Sequence, residues 1–193
     1  RETHPRPRLD IWESGPYLGG GFVWNMFDFA ADARNEGGMP GRNGKGLITF
    51  DRKTKKDAFY LYKAYWSSEP FVHICGRRYV DRIEDMTTVT VYSNQPSVTL
   101  YRNGERYEEQ IGRRVFTFAV PNTGVTELKA VAGDQTDSIR FRKVDEPNPA
   151  YTLPGQEIIN WLDQEVLPQP EGRFSVYDTI GNLCAVPEGR AFV

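Results

Sequence analysis

The polar and apolar positions along the chain follow two periods, and each period predicts a different kind of element. Over residues 55–66, apolar side chains recur at intervals of three and four residues, which places them on one face of a helix. Pro70 lies beyond the end of this helix, because proline cannot continue one. From residue 71 to about residue 145, alternating and β-branched residues between turn signals predict strands instead. The predicted strands cover residues 71–75, 87–93, 97–102, 115–120, 124–131 and 135–143.

The turn signals in this region indicate how the strands connect. Asn103-Gly104 separates two strand-like stretches, and glycine accepts the positive φ angle that a tight hairpin turn requires. Several short strands separated by turns are typical of a small immunoglobulin-like β-sandwich.

The flanking regions have weaker patterns. Residues 19–31 are apolar and rich in glycine, residues 33–46 predict a loop, and residues 47–51 predict a strand. After the proline-containing linker Glu146-Pro147-Asn148-Pro149, short helical segments are predicted at residues 158–162 and 179–185.

Composition and charge restrict the classes of partner. The chain has 24 Lys and Arg against 26 Asp and Glu, a net charge of -2, whereas proteins that bind nucleic acid or anionic membranes concentrate basic residues on one face. No apolar run approaches the roughly 18 residues that span a bilayer, and the first residues show no secretory leader. We therefore expect no nucleic-acid partner and no membrane association, and localisation stays open between cytoplasm and periplasm.

Metal and cofactor chemistry has little support in the residue spacing. The two cysteines are far apart, and neither His4 nor His73 has ligand-type residues at metal-binding spacing around it. The Arg77-Arg78 pair and the basic run at residues 52–56 are interpreted as facing water. We therefore expect no metal site and no cofactor.

The stretch FVWNMFDFAADARN, residues 22–35, carries the strongest candidate chemistry. Phe22-Val23-Trp24 predicts a buried strand, and Asn25 and Asp28 are polar groups just beyond its C-terminal end. Active sites of α/β barrels lie at that end of the strands. The alternative interpretation is that Trp24 belongs to a core and the polar residues to an ordinary loop.

The run GGFVWNMFDFAADARNEGG, followed by GRNGKGLITFDRKTKKDAFYLYKAYWS, resembles the end of the catalytic barrel of glycoside hydrolase family 2, the family of β-galactosidases, β-glucuronidases and β-mannosidases. The later segments VTVYSN, SVTLYRNG and VTELKAVA resemble the immunoglobulin-like domain after this barrel in bacterial β-galactosidases. The resemblance implies a mainly β fold: an immunoglobulin-like β-sandwich preceded by the last β/α unit of a TIM barrel and followed by a short-helix tail. Residues 1–66 would end the barrel, residues 67–147 would form the sandwich, and residues 148–193 the linker and tail.

The resemblance also implies a set of substrate-binding residues. Trp24 would form the apolar floor under the sugar, since an aromatic ring face suits the C–H face of a pyranose, and its peptide bond to Asn25 would be cis. Asn43 and Lys45 match the Asn-x-Lys-Gly pattern of β-glucuronidases, in which the amide and the ammonium hold the sugar carboxylate. Asn25 and Asp28 complete the implied set.

The residues leave two alternatives open for the substrate and two for the role of Lys45. The neighbouring MFDFAADARNEG resembles β-galactosidase-like members more closely, so a terminal β-linked galactose is the preferred substrate and a β-glucuronide the alternative. An alternative role for Lys45 is to neutralise Asp28 or Asp51 without any contact to a sugar.

No catalytic residue is identified. The family hydrolyses its substrates with retention through two glutamates whose carboxyl groups lie about 5–5.5 Å apart. Asn35-Glu36 imitates the acid/base dipeptide but follows the Trp24 strand, and Glu13 lies in a stretch that resembles the preceding helix. Both glutamates are therefore expected upstream, and the isolated chain is expected to be inactive.

The length of 193 residues is short of the roughly 250 of a whole barrel, so we expect the chain to be part of a larger protein. Phe22, Trp24, Phe27 and Phe29 then need cover from the rest of the barrel or from a homo-oligomer. The competing hypothesis is a non-catalytic carbohydrate-binding or structural module.

Overall fold

The computed structural model describes Leu9, Gly15 and residues 21–36, 39–152 and 179–190. The chain divides into two compact units, Arg1–Gln156 and Glu157–Val193. The helical segment predicted at residues 158–162 lies outside the described residues.

The described part of the first unit begins with a hairpin and a helix. Strand β1 (Phe29–Glu36) pairs antiparallel with β2 (Met39–Asn43), where the sequence predicts a loop. Helix α1 (Asp57–Trp66) agrees with the helix predicted at residues 55–66. The helix ends at Trp66, and the backbone N–H of Ser67 donates to the carbonyl of Lys63.

Eight further strands build a β-sandwich, which confirms the predicted mainly β, immunoglobulin-like fold. In chain order the strands are β3 (Val72–Ile74), β4 (Asp81–Arg82), β5 (Met86–Ser93), β6 (Ser97–Arg102), β7 (Glu105–Ile111), β8 (Arg114–Pro121), β9 (Val125–Ala132) and β10 (Gln135–Lys143). One sheet has the order β3-β5-β8 and the other β4-β10-β9-β6-β7. All pairs are antiparallel except that between β4 and β10.

Alternation along the strands sends one set of side chains into the space between the sheets. The largest of these fully buried residues are aromatic or aliphatic: Phe116, Phe118, Phe141, Ile74, Leu100 and Leu128. Burial of each such side chain contributes about 1.5–3 kcal/mol. The predicted turn is confirmed, because Asn103 and Gly104 have φ angles of 51° and 87° and join β6 to β7.

Helix α1 packs against the sandwich through its apolar face. Leu61, Tyr62 and Ala64 are buried in a second cluster that also contains Phe71 and Tyr92. Because Tyr92 belongs to β5, this cluster joins the helix to the three-stranded sheet.

The predicted strand at residues 22–24 does not form, and the strand predicted at residues 47–51 is reduced to isolated bridges at Ile48. Residues 25–28 instead run beside residues 46–48: the N–H of Ile48 donates to the carbonyl of Met26, and the N–H of Asp28 donates to the carbonyl of Ile48, both at 2.9 Å. The N–H of Leu47 also donates to the carbonyl of Asn25 at 3.0 Å, so this pairing is a short run of backbone hydrogen bonds and not a regular strand.

The described part of the second unit contains two short helices, α2 (Ile180–Ala185) and α3 (Pro187–Arg190). The Oγ1 atom of Thr179 caps α2 by accepting from the N–H of Asn182 at 3.1 Å, so the helical segment predicted at residues 179–185 is confirmed. Within the described residues, none of the helices has the length and apolar character needed to cross a lipid bilayer.

Candidate functional site

Asp28 is the centre of the hydrogen-bond network after Trp24. The side chain is buried, and Oδ1 accepts from the backbone N–H of Gly46 at 2.9 Å and from Nζ of Lys56 at 2.6 Å. Lys56 also donates to the carbonyl of Gly44 at 2.8 Å, and Arg52 donates to the carbonyl of Asp28 at 3.0 Å. One carboxylate therefore ties the segment after Trp24 to the loop at residues 44–46 and to the start of α1.

Gly46 is required by this close approach. A Cβ atom at this position would lie 2.0 Å from the backbone nitrogen of Asp28 and 2.1 Å from the carbonyl carbon of Phe27. These atoms belong to the backbone and cannot rotate away, so only glycine allows the loop to lie against residues 27 and 28.

Asn43 and Lys45 form the part of this loop that matches the sugar-carboxylate pattern. Asn43 is buried, and its Oδ1 atom accepts from the N–H of Lys45 at 3.0 Å, a local turn that fixes the backbone of Lys45. The side chain of Lys45 is exposed. Among the described residues, the side-chain amide of Asn43 donates no hydrogen bond, and the ammonium of Lys45 forms no salt bridge.

The alternative that Lys45 neutralises Asp28 or Asp51 is wrong. Lys56 forms the ion pair with Asp28. Asp51 is exposed, and hydrogen bonds from the hydroxyl of Thr49 and the N–H of Lys53 hold its pKa below the ordinary value.

Trp24 presents most of its ring to the outside, since the side chain is 73% exposed. Its ring meets that of Phe29 edge to face, with centroids 6.1 Å apart. The Trp24–Asn25 peptide bond is cis, as predicted. Within the described residues, no core covers the ring of Trp24.

Asn25 connects the tryptophan to the same loop. Its carbonyl accepts from the N–H of Leu47 at 3.0 Å, two residues after Lys45. Its Oδ1 atom is buried without a hydrogen-bond partner among the described residues. Backbone pairing thus brings Asn25, Asp28, Asn43 and Lys45 into one wall, with Trp24 directly before it.

Sequence reasoning missed the two residues that assemble this wall, Gly46 and Lys56. Lys56 lies in the basic run interpreted as facing water, and nothing in that run indicates a partner 28 positions earlier. The signal for Gly46 is its place at the end of the Asn-x-Lys-Gly pattern, which sequence analysis considered only for its polar members.

A second cluster surrounds His73, which is isolated in the sequence but not in space. Its Nε2 atom lies 2.9 Å from Oδ1 of Asp57, its Nδ1 atom 3.8 Å from Oδ2 of Asp137, and its ring stacks on Tyr60 with centroids 3.6 Å apart. Ligand atoms of Asp57, His73 and Cys75 all lie within 4.8 Å of one another. Hydrogen bonds engage Nε2 of His73 and both carboxylate oxygens of Asp57, because Oδ2 of Asp57 accepts from the N–H of Gly76 at 2.8 Å.

Burial raises the pKa of Asp57, but the opposing effects are larger. Hydrogen bonds from His73 and from the N–H of Gly76, together with the charges of His73 and Arg77, lower the pKa below 3.8. Asp57 is therefore an anion at neutral pH that anchors the start of α1 to the turn after β3.

Comparison with known proteins relates the chain to much longer glycoside hydrolases. A crystal structure of an FMN-binding β-glucuronidase from Faecalibacterium prausnitzii L2-6 is 50% identical in sequence and has a TM-score of 0.72. The match covers 76% of this chain and 23% of that protein chain. A putative β-galactosidase structure from Bacteroides fragilis is 41% identical in sequence and has a TM-score of 0.67. The match covers 73% of this chain and 22% of that protein chain. A β-glucuronidase of Bacteroides fragilis is 48% identical over 90 residues, 46% of this chain and 13% of that protein. No protein-family model matches the sequence.

These relatives are β-glucuronidase-like and β-galactosidase-like glycoside hydrolases, and the chain spans less than a quarter of the length of each. β-Glucuronidase is named more often than β-galactosidase among them. The comparisons therefore support the β-glucuronide alternative better than the galactose preference drawn from the sequence.

Proposed function

We propose that the chain is the C-terminal part of a retaining β-glucuronidase of glycoside hydrolase family 2, and that residues 24–46 form one wall of its sugar site. Residues 1–66 would end the catalytic barrel, residues 67–147 brace it as a sandwich, and residues 148–193 form a linker and tail. The observation that carries the proposal is Lys45: an exposed ammonium on a loop that Asn43, Gly46 and Asp28 hold in place.

The chemistry of a glucuronide fits this wall. The C6 carboxylate of the sugar is an anion, and the ammonium of Lys45 and the side-chain amide of Asn43 are donors that suit it. The exposed ring of Trp24 supplies an apolar face for the C–H face of the pyranose. Preformed donors cost little reorganisation when the substrate binds.

Asp28 supports this wall without taking part in proton transfer. Its carboxylate is buried and already accepts from Lys56 and Gly46, so it has no access to a glycosidic oxygen. The two catalytic glutamates would come from the longer protein, about 5–5.5 Å apart in a retaining enzyme. The 193-residue chain alone would then bind weakly and turn nothing over.

A β-galactosidase is the second candidate, because one related structure carries that name. Galactose has a neutral C6 hydroxyl and gains little from a lysine at this position. Lys45 therefore separates the two functions.

The test uses the longer protein that contains this chain, assayed with 4-nitrophenyl β-glucuronide and 4-nitrophenyl β-galactoside. We expect turnover of the glucuronide, and a fall in kcat/KM of about 10–100-fold in Lys45→Ala, the effect of losing a hydrogen bond to a charged group. Lys129→Ala, an exposed lysine on β9, is the matched control and should retain the native rate. Preference for the galactoside with no effect of Lys45→Ala would support the second candidate instead.

The same substrates test the isolated chain. Hydrolysis by the 193 residues would overturn the proposal that the catalytic carboxylates lie elsewhere. Saturable sugar binding by the longer protein without turnover would favour a non-catalytic carbohydrate-binding module.

A further inference from the structure

Three side chains with metal-binding atoms come together where the end of β3 meets the start of α1. Ligand atoms of Asp57, His73 and Cys75 all lie within 4.8 Å of one another. Carboxylate, imidazole and thiolate are all zinc ligands in proteins, at distances of about 2.0–2.3 Å from the ion. Around a tetrahedral ion such atoms lie about 3.3–3.6 Å apart. Small side-chain movements therefore close this cluster on one ion.

The local backbone explains why two of these side chains share a face. His73 and Cys75 are two residues apart in an extended segment, and alternate residues of a strand point to the same side. The N–H of Cys75 donates to the carbonyl of Thr90 at 2.9 Å, so the pairing with β5 continues as far as this cysteine. Ile74 between them is buried in the core of the sandwich. Asp57, the first residue of α1, meets the other face of the strand through His73.

The surroundings of His73 resemble those of a metal-bound histidine. Its Nε2 atom faces Asp57 at 2.9 Å, and its Nδ1 atom lies 3.8 Å from Oδ2 of Asp137. Metal-bound histidines commonly direct their second ring nitrogen to a carboxylate, which orients the ring and strengthens it as a ligand. Asp137 is held in place by the N–H of Ile74 at 2.8 Å, and the imidazole is stacked on Tyr60.

The charges of the cluster suit a divalent cation. Asp57 is an anion at neutral pH. Cys75 is buried, and among the described residues it belongs to no disulfide. Zinc binds the thiolate, so the proton of the thiol passes to water when the ion enters. The carboxylate and the thiolate then balance the two positive charges of the ion, and Arg77 beside them is already paired with Asp137.

Solvent reaches the cluster from the side of Asp57. Its side chain is 18% exposed, whereas that of His73 is 6% exposed. Both residues line a cleft that opens at the surface. This opening gives an ion a route of entry and leaves room for a water molecule as the fourth ligand. Three protein ligands and one water are an established zinc coordination.

We propose that Asp57, His73 and Cys75 bind one Zn²⁺ ion, with Asp137 as the outer carboxylate, and that the ion fastens the end of β3 to the start of α1. The hydrogen bond between Asp57 and His73 is the metal-free state of this cluster. The ion takes the place of the shared proton, and the two atoms separate by about half an ångström.

This site goes beyond the proposed glycosidase activity, because none of its ligands belongs to the wall around Trp24 and Lys45. It departs from the expectation that the chain has no metal site. That expectation rests on spacing along the chain, whereas Asp57 lies 16 residues before His73 and only the fold brings the two together.

The test measures Zn²⁺ binding to the 193-residue chain after its metal has been removed with a chelator. Competition with a coloured chelator should give one Zn²⁺ per chain, with a Kd of about 1 µM or tighter. Co²⁺ in the same site should show the thiolate-to-metal charge-transfer absorption and the intense visible bands of a tetrahedral thiolate complex. Mg²⁺ and Ca²⁺ should bind at least about 100-fold more weakly, because they prefer oxygen ligands.

Variants assign the ion to these residues. Cys75→Ser should weaken Zn²⁺ binding at least about 100-fold and remove the charge-transfer absorption of the Co²⁺ complex. Asp137→Asn should weaken binding about 10-fold and retain that absorption, as expected of an outer carboxylate. Cys184→Ser and His4→Gln remove the other cysteine and the other histidine of the chain, and both should bind as the native chain does. Circular dichroism establishes that each variant is folded, and the Co²⁺ spectrum of the native chain tests the thiolate ligand independently of any variant.

Any of four results overturns the proposal: no stoichiometric binding of Zn²⁺, a Co²⁺ complex without the thiolate absorption, native affinity in Cys75→Ser, or Mg²⁺ or Ca²⁺ binding as tightly as Zn²⁺. Loss of affinity in Cys184→Ser or His4→Gln equal to that in Cys75→Ser would place the ion elsewhere and overturn it as well. Native affinity in Asp137→Asn would refute the role given to Asp137. Because the readout is metal binding, these results are independent of whether the longer protein hydrolyses a glucuronide.

Discussion

The Nζ atom of Lys56 lies 2.6 Å from Oδ1 of Asp28, and this ion pair connects the first residue before α1 to the segment that follows Trp24. The side chains are only 18% and 9% exposed, so water screens the pair weakly. The site wall is therefore held by a buried charge pair as well as by backbone hydrogen bonds.

Asp28→Asn should destabilise the first unit. The substitution leaves the ammonium of Lys56 without its counter-charge, and we expect the free energy of unfolding to fall by about 2–3 kcal/mol. Urea denaturation followed by tryptophan fluorescence measures the change. Asp145→Asn, at an exposed position, is the control and should stay within about 0.5 kcal/mol of the native chain. An unchanged midpoint for Asp28→Asn would show that the pair contributes no stability.

Gly46→Ala should disrupt the wall while the sandwich stays folded. The added methyl group meets the backbone of residues 27 and 28 at about 2 Å, and relief of such a clash costs about 1–3 kcal/mol through displacement of the loop. In the longer protein we expect kcat/KM for the glucuronide to fall at least tenfold, with the thermal transition of the sandwich retained. Gly181→Ala, where the nearest atom is 3.7 Å away on a side chain, is the matched control. Equal activity of the two variants would contradict the role given to Gly46.

The pair of Asp57 and His73 makes stability depend on pH in the acid range. Because the pKa of Asp57 is lower in the folded chain than in the unfolded one, the folded state binds the proton more weakly. Its contribution to stability is complete above the unfolded pKa, near 4, and is lost as pH falls through the lower folded value. Asp57→Asn should therefore lose less unfolding free energy between about pH 5 and pH 2 than the native chain does. Urea denaturation repeated at several pH values in this range measures the difference. Asp145→Asn should retain the native pH profile, and an identical profile for Asp57→Asn would argue against this coupling.

Trp24→Ala should weaken the use of the sugar substrate and leave the stability of the fold nearly unchanged. Loss of a ring face that a substrate covers costs about 2 kcal/mol, or roughly 30-fold in kcat/KM for the longer protein. Because the ring is 73% exposed, the stability of the 193-residue chain should change by less than about 1 kcal/mol. Trp66→Ala removes a tryptophan of similar exposure, 61%, at the end of α1 and provides the comparison. Equal kinetic losses for both would mean that Trp24 has no special contact with the sugar.

The sandwich strands were predictable because their side chains alternate between core and solvent. Strands β6 and β10 begin and end at the predicted residues, and the Asn103-Gly104 turn joins β6 to its partner as expected. Strand β7, with the sequence ERYEEQI, was missed because it lies at a sheet edge and lacks an apolar side.

Only those residues of the candidate wall that belong to short sequence motifs could be predicted. Trp24, Asn43 and Lys45 stand in recognisable patterns, whereas the contacts that fix them join residues far apart in the chain, such as Lys56 with Asp28. Periodicity reports local structure and contains no information about such pairs.

Lys56 and Asp57 are consecutive residues with separate partners: Lys56 binds Asp28 in the site wall, and Asp57 binds His73 in the sandwich. A single peptide step therefore sets the alignment of the two parts. An insertion or deletion at this step would shift one attachment relative to the other, so we expect this junction to tolerate side-chain substitution far better than any change in chain length.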